Sequence, residues 1–343
     1  MSEFALENAT PFAAGTLLLA DEEGRPLLVA IVKATYTITP GMPLRLAEEQ
    51  APVNPAGVYN GKPGVSSLRY EPEVAFVKPS TDIALVGSAH APRGGVTELD
   101  VEFRVGAIAK IVKVVGPRMW ASRFGFTSLT RPIPFEKMPL TWERAFGGWD
   151  RHASDQAKHT FEARNPVGIG FHAKGAPPVD QSSAPNLEDP GRPIRDWNDV
   201  PAPAGFGFIG PEWQPRASFA GTYDDAWAGA RAPLLPKDFD RRFFNAAAPG
   251  LVAPGYLRGD EPVLVRNVTR EGTLSFALPG VAPPRARLEQ RQGEDVEITM
   301  RIDTVVVDTD AWRVFLIWRG HAALPDGPLG VNSVVTEAAA AAA

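Results

Sequence analysis

The chain has 343 residues, 44% of them hydrophobic and 22% charged, and a net charge of -5. That is enough apolar sequence for a substantial core in one large domain or two ordinary ones, and an aromatic content of 9% speaks against global disorder. The acidic balance argues against a protein built around nucleic acid, and the lack of cysteine excludes disulfides, thiol nucleophiles and thiolate metal sites.

The first two dozen residues, MSEFALENATPFAAGTLLLADEEG, have no basic leader region. The apolar run at 17–20 is too short for a signal segment or a membrane helix, and nothing further along approaches a bilayer span. A soluble, cytoplasmic protein with no membrane partner is expected. Residues 26–38, PLLVAIVKATYTI, are apolar and β-branched and follow the turn residues 21–24, which predicts the second arm of a hairpin. From 97 to 105, Leu99, Val101, Phe103 and Val105 alternate with Asp100, Glu102 and Arg104, a half-buried strand; Gly106 and Ala107 turn the chain into a second strand over 108–115.

The middle differs. Residues 132–254 hold 17 of the 34 prolines, too many for central strands or long helices, and residues 120–256 hold 20 of the 31 aromatic residues, which linkers lack. It reads as ordered loops pinned by buried rings. Past it, Val296, Ile298, Met300 and Ile302 alternate with Glu297, Thr299 and Arg301 as one strand, 308–310 form a turn, and 311–318 return. No segment keeps a helical period and no internal repeat is present. The expected fold is mainly β, an antiparallel β-sandwich or distorted barrel with a long ordered Pro/Gly/aromatic-rich loop region. It is one domain over 1–330, with framework at 1–118 and 258–322, loops at 119–257, and a disordered alanine-rich tail at 331–343.

Catalytic signatures are weak. His152 and His159 stand seven apart in a polar loop, without metal-site spacing, and no GxSxG elbow occurs. The pairs Asp224-Asp225, Asp238 with Asp240, Asp260-Glu261 and Asp308 with Asp310 sit where aspartate caps turns, although a pair of carboxylates beside tryptophans would also suit a carbohydrate-active or carbohydrate-binding protein. Residues 205–210, GFGFIG, carry a GxGxxG spacing, but with neither a strand before nor a helix after they read as turns between aromatic anchors. Residues 101–164 hold eleven Lys/Arg against six Asp/Glu, either a solvated face or a docking face for an acidic partner. Within them lies PLTWERAFGGWD, residues 139–150. Its rings and arginine are the types that dominate interface hot spots, and also those that pin a loop to its own core.

The chain resembles a bacterial family, domain of unknown function 2169, associated with type VI secretion. The resemblance runs through DIALVGSAHAP at 82–92, WERAFGG at 142–148, NPVG at 165–168, PNLE at 185–188, AGTYD at 220–224, DFD at 238–240, FFNAA at 243–247 and LRGDE at 257–261. It implies an adaptor or chaperone, which binds a toxic effector through a PAAR-like domain and helps load it onto the VgrG spike protein; with no metal spacing, elbow or phosphate loop in the sequence, no enzymatic activity, metal or cofactor is expected. On this reading Trp149, Arg144, Phe146, Arg151, Lys110, Lys113, Arg118 and Trp227 meet the partner. Trp142, Glu143, Gly147, Gly148, Asn165, Asp224, Asp238 and Asp240 organise the loops.

Overall fold

The computed structural model describes residues 4–339 except 93, 174 and 176. The apolar run at 26–38 becomes a twelve-residue strand, Pro26–Thr37, whose interior is buried on both faces. A strand buried on both sides has to lie inside a sheet, between neighbours and between layers. Its neighbours in this central sheet are Ala13–Ala20 on one side and, on the other, Arg313–Ala323, Arg301–Asp308 and Asp82–Val86 in that order. The last runs parallel to its neighbour, and the other three pairings are antiparallel. Both ends of the chain therefore build one sheet.

The two expected hairpins form. Ala20 faces Pro26, and Val105 faces Ile108. The second hairpin lies within a five-stranded antiparallel sheet ordered Leu187–Glu188, Ile108–Val115, Glu98–Val105, Pro262–Arg266 and Thr273–Ala277. A four-stranded sheet joins Ala5–Ala9, Val331–Glu337, Arg285–Gln290 and Val296–Ile298. One core serves all three. Leu28, Val32 and Trp318 of the central sheet meet Val101 and Phe103 of the second and Leu288 of the third. Each such side chain taken fully from water contributes about 1.5–3 kcal/mol. Strands hold 39% of the residues and helices 7%, and no sheet closes on itself, so the class is mainly β and sandwich-like rather than barrel.

Two expectations are corrected. The alternation over 296–302 is not one strand: Val296–Ile298 pairs in the four-stranded sheet and Arg301–Asp308 in the central one, with Thr299 and Met300 between. Gly320 lets this crossing pass, since a Cβ there would stand 2.5 Å from the Thr299 carbonyl oxygen. Nor is 331–343 a disordered tail throughout. Val331–Glu337 is an interior strand between Ala5–Ala9 and Arg285–Gln290, with Val334 fully buried. Its β-branched residues fit a pleated, buried surface. Residues 340–343 lie outside the described part.

The second face of the central sheet is covered by loops. Leu27, Val29 and Ile31 pack there with Phe76 and Ile317. Further along the same face the side chains are charged and still buried: Lys33, Asp82, Asp308 and Arg319. Each is tied to the segment 67–82 or is part of it. Lys33 donates to Glu73 at 2.5 Å; Arg69 and Tyr70 both donate to Asp308, at 2.7 and 2.5 Å. Lys78 is shared by Glu71 and Asp82. Arg319 pairs with Asp303 and donates to the carbonyls of Glu73 and Ala75.

Candidate partner-binding face

The stretch 139–150 is built around Trp142 and Asn165. The Trp142 ring is buried, donates from Nε1 to the Phe208 carbonyl at 2.9 Å and meets Trp213 edge-on at 6.2 Å. Gly205 and Gly207 lie against it, with Phe206 and Phe208 buried on either side. GFGFIG is thus the turn between anchors that its surroundings predict. Asn165, fully buried, donates from Nδ2 to the carbonyls of Trp142 and Phe146. Gly147 and Gly148, at φ 151 and 94, pass so close to this loop that Cβ atoms would stand 2.1 Å from the Asn165 carbonyl oxygen and 2.3 Å from that of Gly168. Glu143 accepts the amide and the hydroxyl of Ser67, at 2.6 and 2.9 Å, tying the stretch to a segment 76 residues away. Trp142, Glu143, Gly147, Gly148 and Asn165 thus come together in this one loop.

Asp150 closes it. Donors on its carboxylate are the His152 amide at 3.0 Å, the Ala173 amide at 2.7 Å and the His152 ring. The two amides hold its carboxyl down at about 2, against a smaller opposing effect of burial. Beside it the rings turn outward. Trp149 is 43% exposed and Phe161 44%; they stack at 4.4 Å, and the Arg151 guanidinium lies 4.8 Å from the Trp149 ring.

A feature the sequence reading missed stands close by in the chain. Trp120–Arg123 pairs with Phe126–Leu129 in a hairpin closed by Phe124 and Gly125, both at positive φ. A two-residue turn of this hand requires positive φ at both positions, which suits asparagine or glycine and costs a phenylalanine about 1 kcal/mol. Yet Phe124 is there, fully exposed, and Phe126 is 80% exposed. Among the described residues no packing accounts for a bare ring on a strained turn with a second bare ring beside it, and such outliers point to function. The available signal was FGF between polar residues.

The hairpin borders a groove. The hairpin's outer edge bonds to 180–182: the Trp120 amide to the Ser182 carbonyl, the Gln181 amide to the Trp120 carbonyl and the Ser122 amide to Asp180. Two hollows of about 390 and 370 Å³ adjoin here, sharing Ile169 and Ser183 as walls. The first is bounded by Met119, Ile133, Arg118 and Arg144, the second by Trp149, Phe171, His172 and Val179. Arg123, Arg131, Arg144 and Arg151 are exposed and form no ion pair among the described residues.

Other expected partner contacts fall away. Phe146 is buried with Trp120, Ala184 and Ile194, so its ring presents no surface. Arg118 is buried against Glu188, whose carboxyl burial raises and Arg118 lowers. Lys110 donates to the Pro249 carbonyl at 2.8 Å, and Lys113 lies 3.6–3.7 Å from Asp100 and Glu98. The local basic excess is therefore partly spent inside the fold. Trp227 is half-buried, donates to the Leu234 carbonyl and belongs to a segment held on the first hairpin by the pairs Arg231–Glu23 and Arg241–Glu22. Asp224 caps the helix Asp225–Ala230, Asp240 caps the turn at 241–244, and Asp238 accepts the amide and hydroxyl of Thr222. Of the expected contacts, Trp149, Arg151 and Arg144 remain at the face.

Among the described residues no group of three or more histidines and carboxylates could hold a metal ion, and no helix is long and apolar enough to cross a membrane. No curated protein and no solved structure matches the chain. A family match does cover most of its length: over residues 23–319 the chain belongs to DUF2169, described as an uncharacterized protein conserved in bacteria.

Proposed function

We propose that this protein is a non-enzymatic cytoplasmic adaptor that captures an effector by the face formed from the Phe124 hairpin, the Trp149–Phe161 stack and the groove between them. The observation that carries the reading is Phe124, a fully exposed ring on a turn that disfavours it. A protein partner is the ligand class that uses exposed aromatic rings with unpaired arginines around them. The identity of the partner comes from the resemblance of the sequence: a type VI secretion toxin with a PAAR-like domain, delivered to the VgrG spike. The arginine rim would meet acidic patches on it.

Tagged protein recovered from its own bacterium should enrich such a toxin, and VgrG with it. The doubly substituted Phe124→Asn, Phe126→Ser protein should lose both. Equal recovery by parent and variant, or recovery of neither protein by the parent, overturns the proposal. The carbohydrate alternative has less support, because Trp149 already carries Phe161 and Arg151 against its ring rather than an open platform.

A further inference from the structure

A separate cavity of about 260 Å³ lies on the second face of the central sheet, between that face and the loop at 51–58. Its walls are mainly apolar, from Val53, Val58, Phe208, Val306, Phe315 and Ile317. Three charged residues also line it: Lys33, Glu71 and Glu73. Lys33 is committed to Glu73 at 2.5 Å and to the Pro52 carbonyl, while Glu73 also accepts the Asn54 amide.

Glu71 is different. It is 4% exposed, and the hydrogen bonds its carboxylate accepts, from Lys78 and Thr304, both fall on Oε1. Oε2 has no donor among the described residues. Lys78 is in turn divided between Glu71 and Asp82, so two buried carboxylates share one ammonium. The nearby Arg216 donates from Nε to the Phe243 carbonyl and from Nη1 to that of Ile209. Burial pushes the Glu71 carboxyl up; Lys78 opposes the rise, Asp82 adds to it and Arg216 opposes it.

We infer that this cavity is a binding site for a small amine, an apolar or aromatic body carrying one ammonium group that donates to Glu71 Oε2. The apolar walls take the body, and the unpartnered carboxylate oxygen selects the charge. The volume suits a single ring with a short side arm. An anion would meet two carboxylates in the wall and only one cation, already paired.

The test is a ligand-observed NMR titration of the full chain with 2-phenylethylamine, 2-phenylethanol and phenylacetate, which share a ring and differ in charge. The amine should bind saturably, the alcohol about tenfold more weakly, and phenylacetate not at all. Val58→Trp, at a lining position that is 41% exposed, should abolish amine binding without touching the core. Glu71→Gln should reduce the amine to the level of the alcohol; if that variant does not fold, the three-ligand comparison on the parent protein decides. Phenylacetate binding as well as the amine, amine binding that survives Val58→Trp, or no saturable binding by the parent overturns the inference. The face around Phe124 plays no part in it, so effector capture and this site fail independently.

Discussion

Two segments are laid over sheet in this molecule, and they are held by opposite means. Segment 67–82 is fastened to the central sheet largely by charge: Arg69 to Asp308, Lys78 to the Thr304 hydroxyl and Glu73 to Lys33, with little exposure of the carboxylates. Segment 119–183 is fastened mainly by rings, with Trp142, Trp120 and Phe146 inward, Asn165 bonding the bend and the Glu143 carboxylate on Ser67. Ion pairs need fixed geometry and add little net stability over an apolar core, so they fix the register of a cover rather than its strength. Rings stabilise by area and tolerate adjustment. The first segment uses up its special residues in holding itself. The second has rings left over, and Phe124, Phe126 and Trp149 are the surplus that a partner can use.

The comparison breaks most easily at Lys78. Replacing it with methionine leaves Glu71 and Asp82 buried without their shared cation, and should cost about 3–5 kcal/mol in chemical denaturation. A loss under 1 kcal/mol would mean the charge network does not hold the cover. Trp142→Ala should cost a similar amount, about 3–5 kcal/mol, as a cavity forms under Gly205 and the Phe208 carbonyl loses its donor. If Trp142→Ala instead melts like the parent, the ring-pinned segment is not anchored where the packing places it.

Acid sharpens the contrast. The Asp150 carboxyl is held at about 2 in the fold, below its ordinary value near 4. A depressed folded value gives stability that is complete above the unfolded value and lost as pH falls through the folded one. The bend at 147–150 should therefore loosen between about pH 4 and 2, read as a change in Trp fluorescence that Asp150→Asn removes from that window. The smallest effect is at the hairpin tip. Phe124→Asn should raise stability by about 0.5–1 kcal/mol, because asparagine tolerates the positive φ of the turn. A destabilised Phe124→Asn would show that the exposed ring serves the fold after all.

Much of the framework was legible because it is local. Period-two alternation in 98–105 and the turn residues at 21–24 need no distant information. The strand at 331–337 was hidden by the alanines that follow it, and the crossing at 299–300 keeps the alternation unbroken in sequence while changing sheets in space. The buried charges were not legible at all. Asp308 looks like a turn cap, but two of its donors stand on Arg69 and Tyr70, more than 230 residues away. At the candidate face, Trp142, Glu143 and the Gly-Gly bend could be read from one short stretch. Whether Lys110, Lys113 and Arg118 were free could not, since Pro249, Asp100 and Glu188 claim them only once the chain is folded.

The central claim is that the rings left over at the 119–183 face have a partner rather than a structural duty. Its most direct measurement is the affinity of the captured effector for the parent protein and for Trp149→Ala, with melting recorded on both. We expect binding weakened by about 2 kcal/mol or more, roughly thirtyfold, with a melting temperature nearly unchanged. Unchanged affinity, or a Trp149→Ala protein that melts early, would contradict it and leave the stretch as a loop pinned to its own core.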